Sequence, residues 1–227
     1  GITVPANGSL QLRFQVTVGA AFLPGDTIDN MAVVDNPGGP GATPEARTLI
    51  VAQSQVGGSG NKILYLHDDT LAGGDQRMDR TPQAGTTTPG VLVEAGTSGI
   101  WILDPAIPAG ESLVLSAGTI TVRLPVDTAG STAVLQAQLF NRDPVAGDLL
   151  IATSSVQSFS ANGVAERPFL VNLVSDYTIP AGGRLGLRMV NTANGNKHAR
   201  IHEYNATAAT VTFATTTVVA VDSVQAY

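Results

Sequence analysis

The strongest constraint on the fold is a strict alternation of apolar and polar residues in the segment Ser9–Val18. Successive residues of a β-strand point to opposite faces of its sheet, so the pattern predicts a strand with one buried and one solvated face. The apolar face would carry Leu10, Leu12, Phe14, Val16 and Val18.

Further alternating segments recur along the chain and are separated by Gly, Pro, Asn and Asp, as strands are separated by turns. They are Leu113–Leu115, Thr119–Leu124, Ala133–Phe140, Phe169–Val174, Arg184–Val190 and Thr210–Val221. No stretch of about 12 residues repeats apolar side chains at helical spacing without a Gly or a Pro. The sequence therefore predicts an all-β fold with little helix.

The distribution of prolines and glycines divides the chain. Residues 35–46 contain three prolines and three glycines, which is typical of a linker. Residues 1–34 are too few to bury a core of their own. Residues 47–227 carry enough strand signals for a jelly-roll-like antiparallel β-sandwich. We therefore predict a partial β segment, a linker and a sandwich.

Composition excludes several classes of partner. The chain has 12 basic and 18 acidic residues and a net charge of -6, so no nucleic acid partner is expected. Its apolar stretches are shorter than the ~20 residues that a bilayer helix needs, so no membrane insertion is expected. Cysteine is absent. Disulfides, thiolate metal sites and cysteine nucleophiles are therefore excluded.

The N-terminal residues resemble a known family. Ile2–Leu10, Phe14–Val18 and Asp26–Val34 contain an apolar-Pro-Ala turn, an alternating strand and an Asn-x-Ala strand, with Met31 where the family usually has Thr. This arrangement resembles the second half of an immunoglobulin-like conserved repeat of large bacterial and archaeal cell-surface proteins. The larger region, with Lys62–Asp69 and Thr217–Val224, looks like a sandwich found beside such repeats.

The resemblance implies an extracellular, cell-surface location and a role as stalk, adhesin or fibre component. We expect a structural module rather than an enzyme, because no Gly-x-Ser-x-Gly, His-Glu-x-x-His or Gly-x-x-x-x-Gly-Lys motif is present. The expected partners are further copies of the chain or adjacent domains of a longer surface protein. The apolar face of residues 9–18 would form the assembly edge, joined by strand exchange into a pilus-like filament.

A loop rich in aspartate and glycine is a candidate site for a Ca²⁺ cofactor, since carboxylates on a flexible loop are suitable calcium ligands. The candidate ligands are Asp68, Asp69, Asp75 and Asp79. The loop lacks the order of an EF-hand. The alternative is that these carboxylates form ion pairs with Arg77 and Arg80. No other cofactor is expected.

The alternative function is a carbohydrate-binding β-sandwich, with glycans as partners, because jelly rolls often present aromatic rings to sugars. The candidate stacking residues are Trp101 and Tyr65. Trp101 has apolar neighbours on both sides, so a core position is the more common interpretation for it.

Overall fold

The computed structural model describes residues 27–32, 45–50, 60–82, 89–160 and 162–215. These residues contain strands and no helix, which confirms the predicted all-β class for the described part of the chain. The strands are β1 (Thr27–Ala32), β2 (Glu45–Ile50), β3 (Gly60–Thr70), β4 (Gln76–Asp79), β5 (Val91–Glu94), β6 (Ser98–Leu103), β7 (Leu113–Leu115), β8 (Gly118–Asp127), β9 (Thr132–Asp143), β10 (Gly147–Thr153), β11 (Gln157–Ser160), β12 (Ala165–Leu173), β13 (Tyr177–Ile179), β14 (Arg184–Asn191), β15 (His198–Ile201), β16 (Tyr204–Asn205), β17 (Thr207–Ala208) and β18 (Thr210–Thr215).

The alternating segments form strands where they are described, except that Val174 of the predicted segment Phe169–Val174 lies beyond the end of β12. β7 has the predicted bounds, and β8, β9 and β14 each contain the predicted run with a few further residues. In β9, Ala133, Leu135, Ala137 and Leu139 are fully buried, while the intervening residues are only partly covered. The predicted assembly strand, residues 9–18, lies outside the described residues. No helix long and apolar enough to cross a bilayer occurs in the described ranges.

Most strands join one large sheet in the order β10-β9-β14-β6-β4-β3-β18-β8-β15-β5. β11 pairs with β9, β12 pairs with β8, and the β7–β13 pair is attached through β18. The expectation of a purely antiparallel sheet is wrong at one place, because β4 and β6 are parallel. The chain leaves β4, forms β5 at the far end of the sheet and returns to β6, and such a crossover gives parallel strands.

A separate two-stranded sheet pairs β1 with β2. Met31 and Ala32 of the predicted N-terminal segment lie opposite Ala46 and Glu45. Glu45 and Ala46 are the last residues of the predicted linker, so strand β2 begins within it. The backbone pairing therefore connects the two sides of the Pro/Gly-rich segment.

The core is one cluster of buried apolar side chains from strands along the whole sheet. Leu139 and Leu187 come from one half of the strand order, and Val122 and Val211 come from the other. Each of these side chains is fully buried, which stabilises the fold by ~1.5–3 kcal/mol per side chain. On β9, β14, β6 and β4, the face that points away from this core is the one on which polar and charged side chains can lie.

Candidate functional site

A cavity of about 360 Å³ lies on this outer face, beside the turn that joins β3 to β4. We call it the charged pocket. Its lining residues are Leu71, Ala72, Asp75, Ile102, Asp104, Arg142 and Arg184. Two carboxylates, two guanidinium groups and a small apolar surface therefore share one cavity.

Strand register brings the two arginines together. Arg142 of β9 and Arg184 of β14 are directly opposite in an antiparallel pair, whereas the next residues, Asn141 and Leu185, are buried on the core side. Like charges in opposite positions destabilise a sheet unless other groups compensate them. The arginines of the charged pocket therefore need carboxylate partners.

Arg142 is held by two carboxylates. Its Nη1 donates to Asp75, and its Nε and Nη2 donate to the two oxygens of Asp148 at 2.8 and 3.2 Å. The hydrogen bonds from Arg142 to Asp148 and Asp75, with the charges of both carboxylates, outweigh burial and raise the pKa of Arg142 above its usual value. Arg142 is therefore a fixed positive charge in the pocket wall.

Arg184 has a different set of contacts. Its Nη1 donates to Asp104 Oδ1 at 2.7 Å and to the carbonyl oxygen of Leu103 at 3.4 Å. The Nε and Nη2 groups donate to no acceptor among the described residues, and the side chain is 32% exposed. Asp104 is 35% exposed, and its second carboxylate oxygen accepts no hydrogen bond within the described ranges. Arg184 and Asp104 therefore offer an open donor and an open acceptor side by side.

An aromatic ring supports the arginines next to the pocket. Phe140 lies on the outer face of β9 and is nevertheless fully buried. Gly186 is directly opposite it in β14, and the guanidinium carbons of Arg142 and Arg188 lie 5.6 and 4.9 Å from its ring centroid. Arg188 also donates to Asp148 at 2.6 Å. The cation–π contacts and shared carboxylate fix both guanidinium groups in place.

A second polar cluster joins β3 and β4. The buried His67 and Asp79 are hydrogen-bonded at 2.9 Å between Nε2 and Oδ1. Arg77 bridges Asp69 and Asp79 at 2.8 and 2.7 Å. Burial favours a higher pKa for the Asp79 carboxyl. Hydrogen bonds from His67 and the Thr81 amide, with the electrostatic effects of His67 and Arg77, outweigh burial and lower the pKa of Asp79 below its usual value. Because His67 and Asp79 are buried, this cluster holds the two strands together.

The four predicted calcium ligands are divided between different partners. Asp69 and Asp79 form ion pairs with Arg77, the arrangement given above as the alternative to calcium binding. Asp75 pairs with Arg142 instead. The backbone amide of Asp68 donates to Glu203 at 2.9 Å. The described residues include no group of three or more side chains placed to hold a metal ion. Calcium binding by this loop stays a prediction.

The two predicted sugar-stacking residues do not share a surface. Trp101 is only 1% exposed and its Nε1 donates to the carbonyl oxygen of His67 at 3.0 Å. The ring is part of the core, in line with the more common interpretation of its sequence neighbours. Tyr65 is half-buried on β3, between the core residues Leu64 and Leu66.

The sequence by itself does not identify the residues of the charged pocket as a site. Arg142 and Arg184 occupy ordinary polar positions in alternating strands, and Asp104 has the appearance of a turn residue. The one available signal is the aspartate-rich loop, which supplies Asp75.

No protein-family model matches the chain, and no curated protein is similar to it in sequence. Several solved structures are similar in fold. An aminopeptidase from a marine sediment Thaumarchaeota archaeon matches 68% of this chain with a TM-score of 0.54 and 11% identity. An α-amino acid ester hydrolase matches 69% with a TM-score of 0.50 and 10% identity. A CocE/NonD family hydrolase from Staphylococcus aureus matches 75% with a TM-score of 0.50 and 10% identity.

These comparisons correct the functional expectation. All three of these structures are hydrolases, so the predicted non-catalytic structural module, with its adhesive and filament-forming roles and its carbohydrate-binding alternative, is wrong. The expectation that the chain has no enzymatic role is wrong for the same reason. The matched region covers 36%, 36% and 39% of the three hydrolases, so this chain spans between a third and two fifths of their length.

Proposed function

We propose that this chain acts in a hydrolase, as the all-β part of an enzyme that cleaves ester or peptide bonds of α-amino acids. The observation that carries the proposal is the fold similarity to three hydrolases over 68–75% of this chain. Two of them, the aminopeptidase and the α-amino acid ester hydrolase, bear names that specify amino-acid substrates. The chain would correspond to one portion of such an enzyme.

The finer architecture is part of the proposal. The large sheet would fold over itself into a jelly-roll-like sandwich, preceded by a partial immunoglobulin-like segment in residues 1–34. Supporting this, strands from both halves of the sheet order bury alternate residues in a single core cluster. A sheet with one apolar face must cover that face, and packing it against itself does so. We also propose an extracellular location, which the near absence of lysine favours.

The charged pocket would bind polar groups rather than cleave bonds. Arginine cannot act as a general base because it stays protonated, and both arginines of the pocket are paired with aspartates. The carboxylates suit an amine, the guanidinium groups suit a carbonyl or carboxylate oxygen, and Ile102 suits an apolar side chain. We therefore assign the pocket to the recognition of substrate or product.

The test is a hydrolysis assay on the intact gene product that contains this chain. The substrates are leucine methyl ester and leucine p-nitroanilide, with acetate esters of simple alcohols as a comparison. We expect turnover of the leucine substrates above the buffer blank. Absence of turnover with every ester and amide would contradict the proposal.

A further inference from the structure

Arg184 and Asp104 present an unusual combination of open groups. Arg184 donates through Nη1 only, to Asp104 and to the carbonyl oxygen of Leu103. Its Nε and Nη2 groups have no acceptor among the described residues. Asp104 uses only Oδ1, which leaves Oδ2 as an acceptor in the same part of the structure. Both side chains are about one-third exposed and line the charged pocket. A small molecule can therefore reach both charges at once.

The rest of the pocket favours a ligand with both charges and an apolar part. On the other wall, Arg142 and Arg188 are balanced by Asp75 and Asp148, so that wall carries no net charge. Ile102 and Leu71 add an apolar surface. Asp104 would repel a purely anionic ligand, and Arg184 would repel a purely cationic one. The cavity of about 360 Å³ is at the small end of the range for small-molecule sites.

We propose that the charged pocket binds a free α-amino acid, with the ligand carboxylate on Arg184 and the ligand ammonium group on Asp104. The side chain of the amino acid would lie against Ile102 and Leu71. Hydrogen bonds between charged groups are stronger than neutral ones, and a planar guanidinium group matches a carboxylate geometrically. An apolar side chain of moderate size, such as that of leucine, suits this surface.

The identity of this ligand as a reaction product rests on the proposed function. An amino-acid ester or an N-terminal peptide residue carries the ammonium group but no α-carboxylate. Addition of water across the scissile bond turns the acyl carbon into a carboxylate and releases an alcohol or an amine. The free amino acid alone satisfies both Arg184 and Asp104, so the pocket would retain product in preference to substrate. Binding itself does not depend on catalysis.

The experiment is calorimetric titration of the purified chain with leucine, leucine methyl ester and N-acetylleucine. The ester lacks the carboxylate and the acetylated compound lacks the ammonium group. We expect saturable binding of leucine, and affinity weaker by roughly tenfold or more for each derivative, since each loses a charged hydrogen bond. If the ester bound as tightly as leucine, the role of Arg184 would be overturned. If N-acetylleucine bound as tightly as leucine, the role of Asp104 would be overturned. No binding of leucine would overturn the whole proposal.

Two variants and a matched control locate the site. R184Q and D104N should each weaken leucine binding by roughly tenfold or more. R123Q removes an arginine that is also paired with a carboxylate, Glu166 at 3.1 Å, but on β8, and it should leave binding unchanged. Loss of binding in R123Q, or retention in both R184Q and D104N, would place the ligand elsewhere. The ligand series uses the unaltered chain, so it decides the proposal even if a variant fails to fold.

The two proposals fail separately. Leucine binding without turnover of any ester or amide would remove the product assignment and keep the amino-acid site. Turnover without leucine binding would support the hydrolase and overturn the site.

Discussion

Glu203 is a single carboxyl group that makes stability depend on pH. Its Oε2 accepts a hydrogen bond from the Asp68 backbone amide at 2.9 Å. Burial, the largest effect, together with the nearby Asp68 carboxylate raises the pKa of Glu203, although the amide hydrogen bond and His67 oppose the rise. The folded state therefore holds the proton on Glu203 more tightly than the unfolded chain does.

Proton linkage gives the direction in which the free energy of unfolding changes with pH. A carboxyl with a raised pKa costs no stability below its ordinary pKa, and the free energy of unfolding falls as pH rises through the raised value. We predict that Glu203→Gln stabilises the chain at neutral pH by less than about 1 kcal/mol, because the side chain is only partly buried. Glutamine keeps an oxygen for the Asp68 amide. Urea unfolding at neutral pH and at a pH below the ordinary glutamate pKa measures the difference.

The matched control for this prediction is Glu166→Gln. Glu166 is on β12 and forms an exposed ion pair with Arg123, so its replacement should not stabilise the chain at neutral pH. If Glu203→Gln were neutral or destabilising at neutral pH and stabilising in acid, the assigned direction of the pKa shift would be wrong.

At the scale of elements, the β9–β14 pair depends on a glycine opposite an aromatic residue. Gly186 faces Phe140 in register, and a Cβ atom added at Gly186 would overlap the Phe140 ring. The ring has little room to move, because Arg142 and Arg188 cover it. The glycine therefore leaves the space beside the neighbouring strand that the ring occupies.

We predict that Gly186→Ala lowers the free energy of unfolding by about 1–3 kcal/mol, as overpacking of a filled site does. Phe140→Leu is destabilising by itself because it removes part of a buried ring. In the double variant the added methyl group meets a smaller side chain, so the combined loss should be less than the sum of the two single losses. Denaturant unfolding of the four proteins completes the cycle. Strict additivity would show that the ring is not what excludes a side chain at Gly186.

At this scale the sequence predicts strands better than it predicts their pairing. Period-two alternation located β7, β8, β9 and β14, because one face of each strand contacts the core. Alternation does not specify neighbours, so the parallel contact of β4 with β6 was not foreseen.

At the scale of the whole molecule, the charged pocket was not predictable because its contacts are remote in sequence. Arg142 meets Asp75 across 67 positions, and Arg184 meets Asp104 across 80. Each residue by itself has the sequence context of a solvated strand or turn position. Trp101 is the opposite case, since its apolar neighbours favour the core position that the structure shows.

The single core cluster leads to a prediction about cooperativity. Trp101, the only tryptophan of the chain, is buried in this cluster together with Val122 of β8 and Leu139 of β9. Strands that share one core lose their packing together, so the described large sheet should unfold in one transition. We expect the free energy of unfolding from Trp101 fluorescence to equal that from hydrogen exchange of the slowest amides in β8 and in β9.

Two independent halves would give a different result. If β8 amides exchanged with a clearly smaller free energy than β9 amides, the two halves of the strand order would open separately and the folded-over sheet would be wrong. Phe213→Ala allows the β8 and β9 amides to be compared in one experiment. Phe213 lies in the same core cluster but on β18, next to β8. Its loss should reduce both free energies by an equal amount, about 3–5 kcal/mol as for other buried phenylalanines. A reduction confined to β8 would show that the core does not couple the two halves.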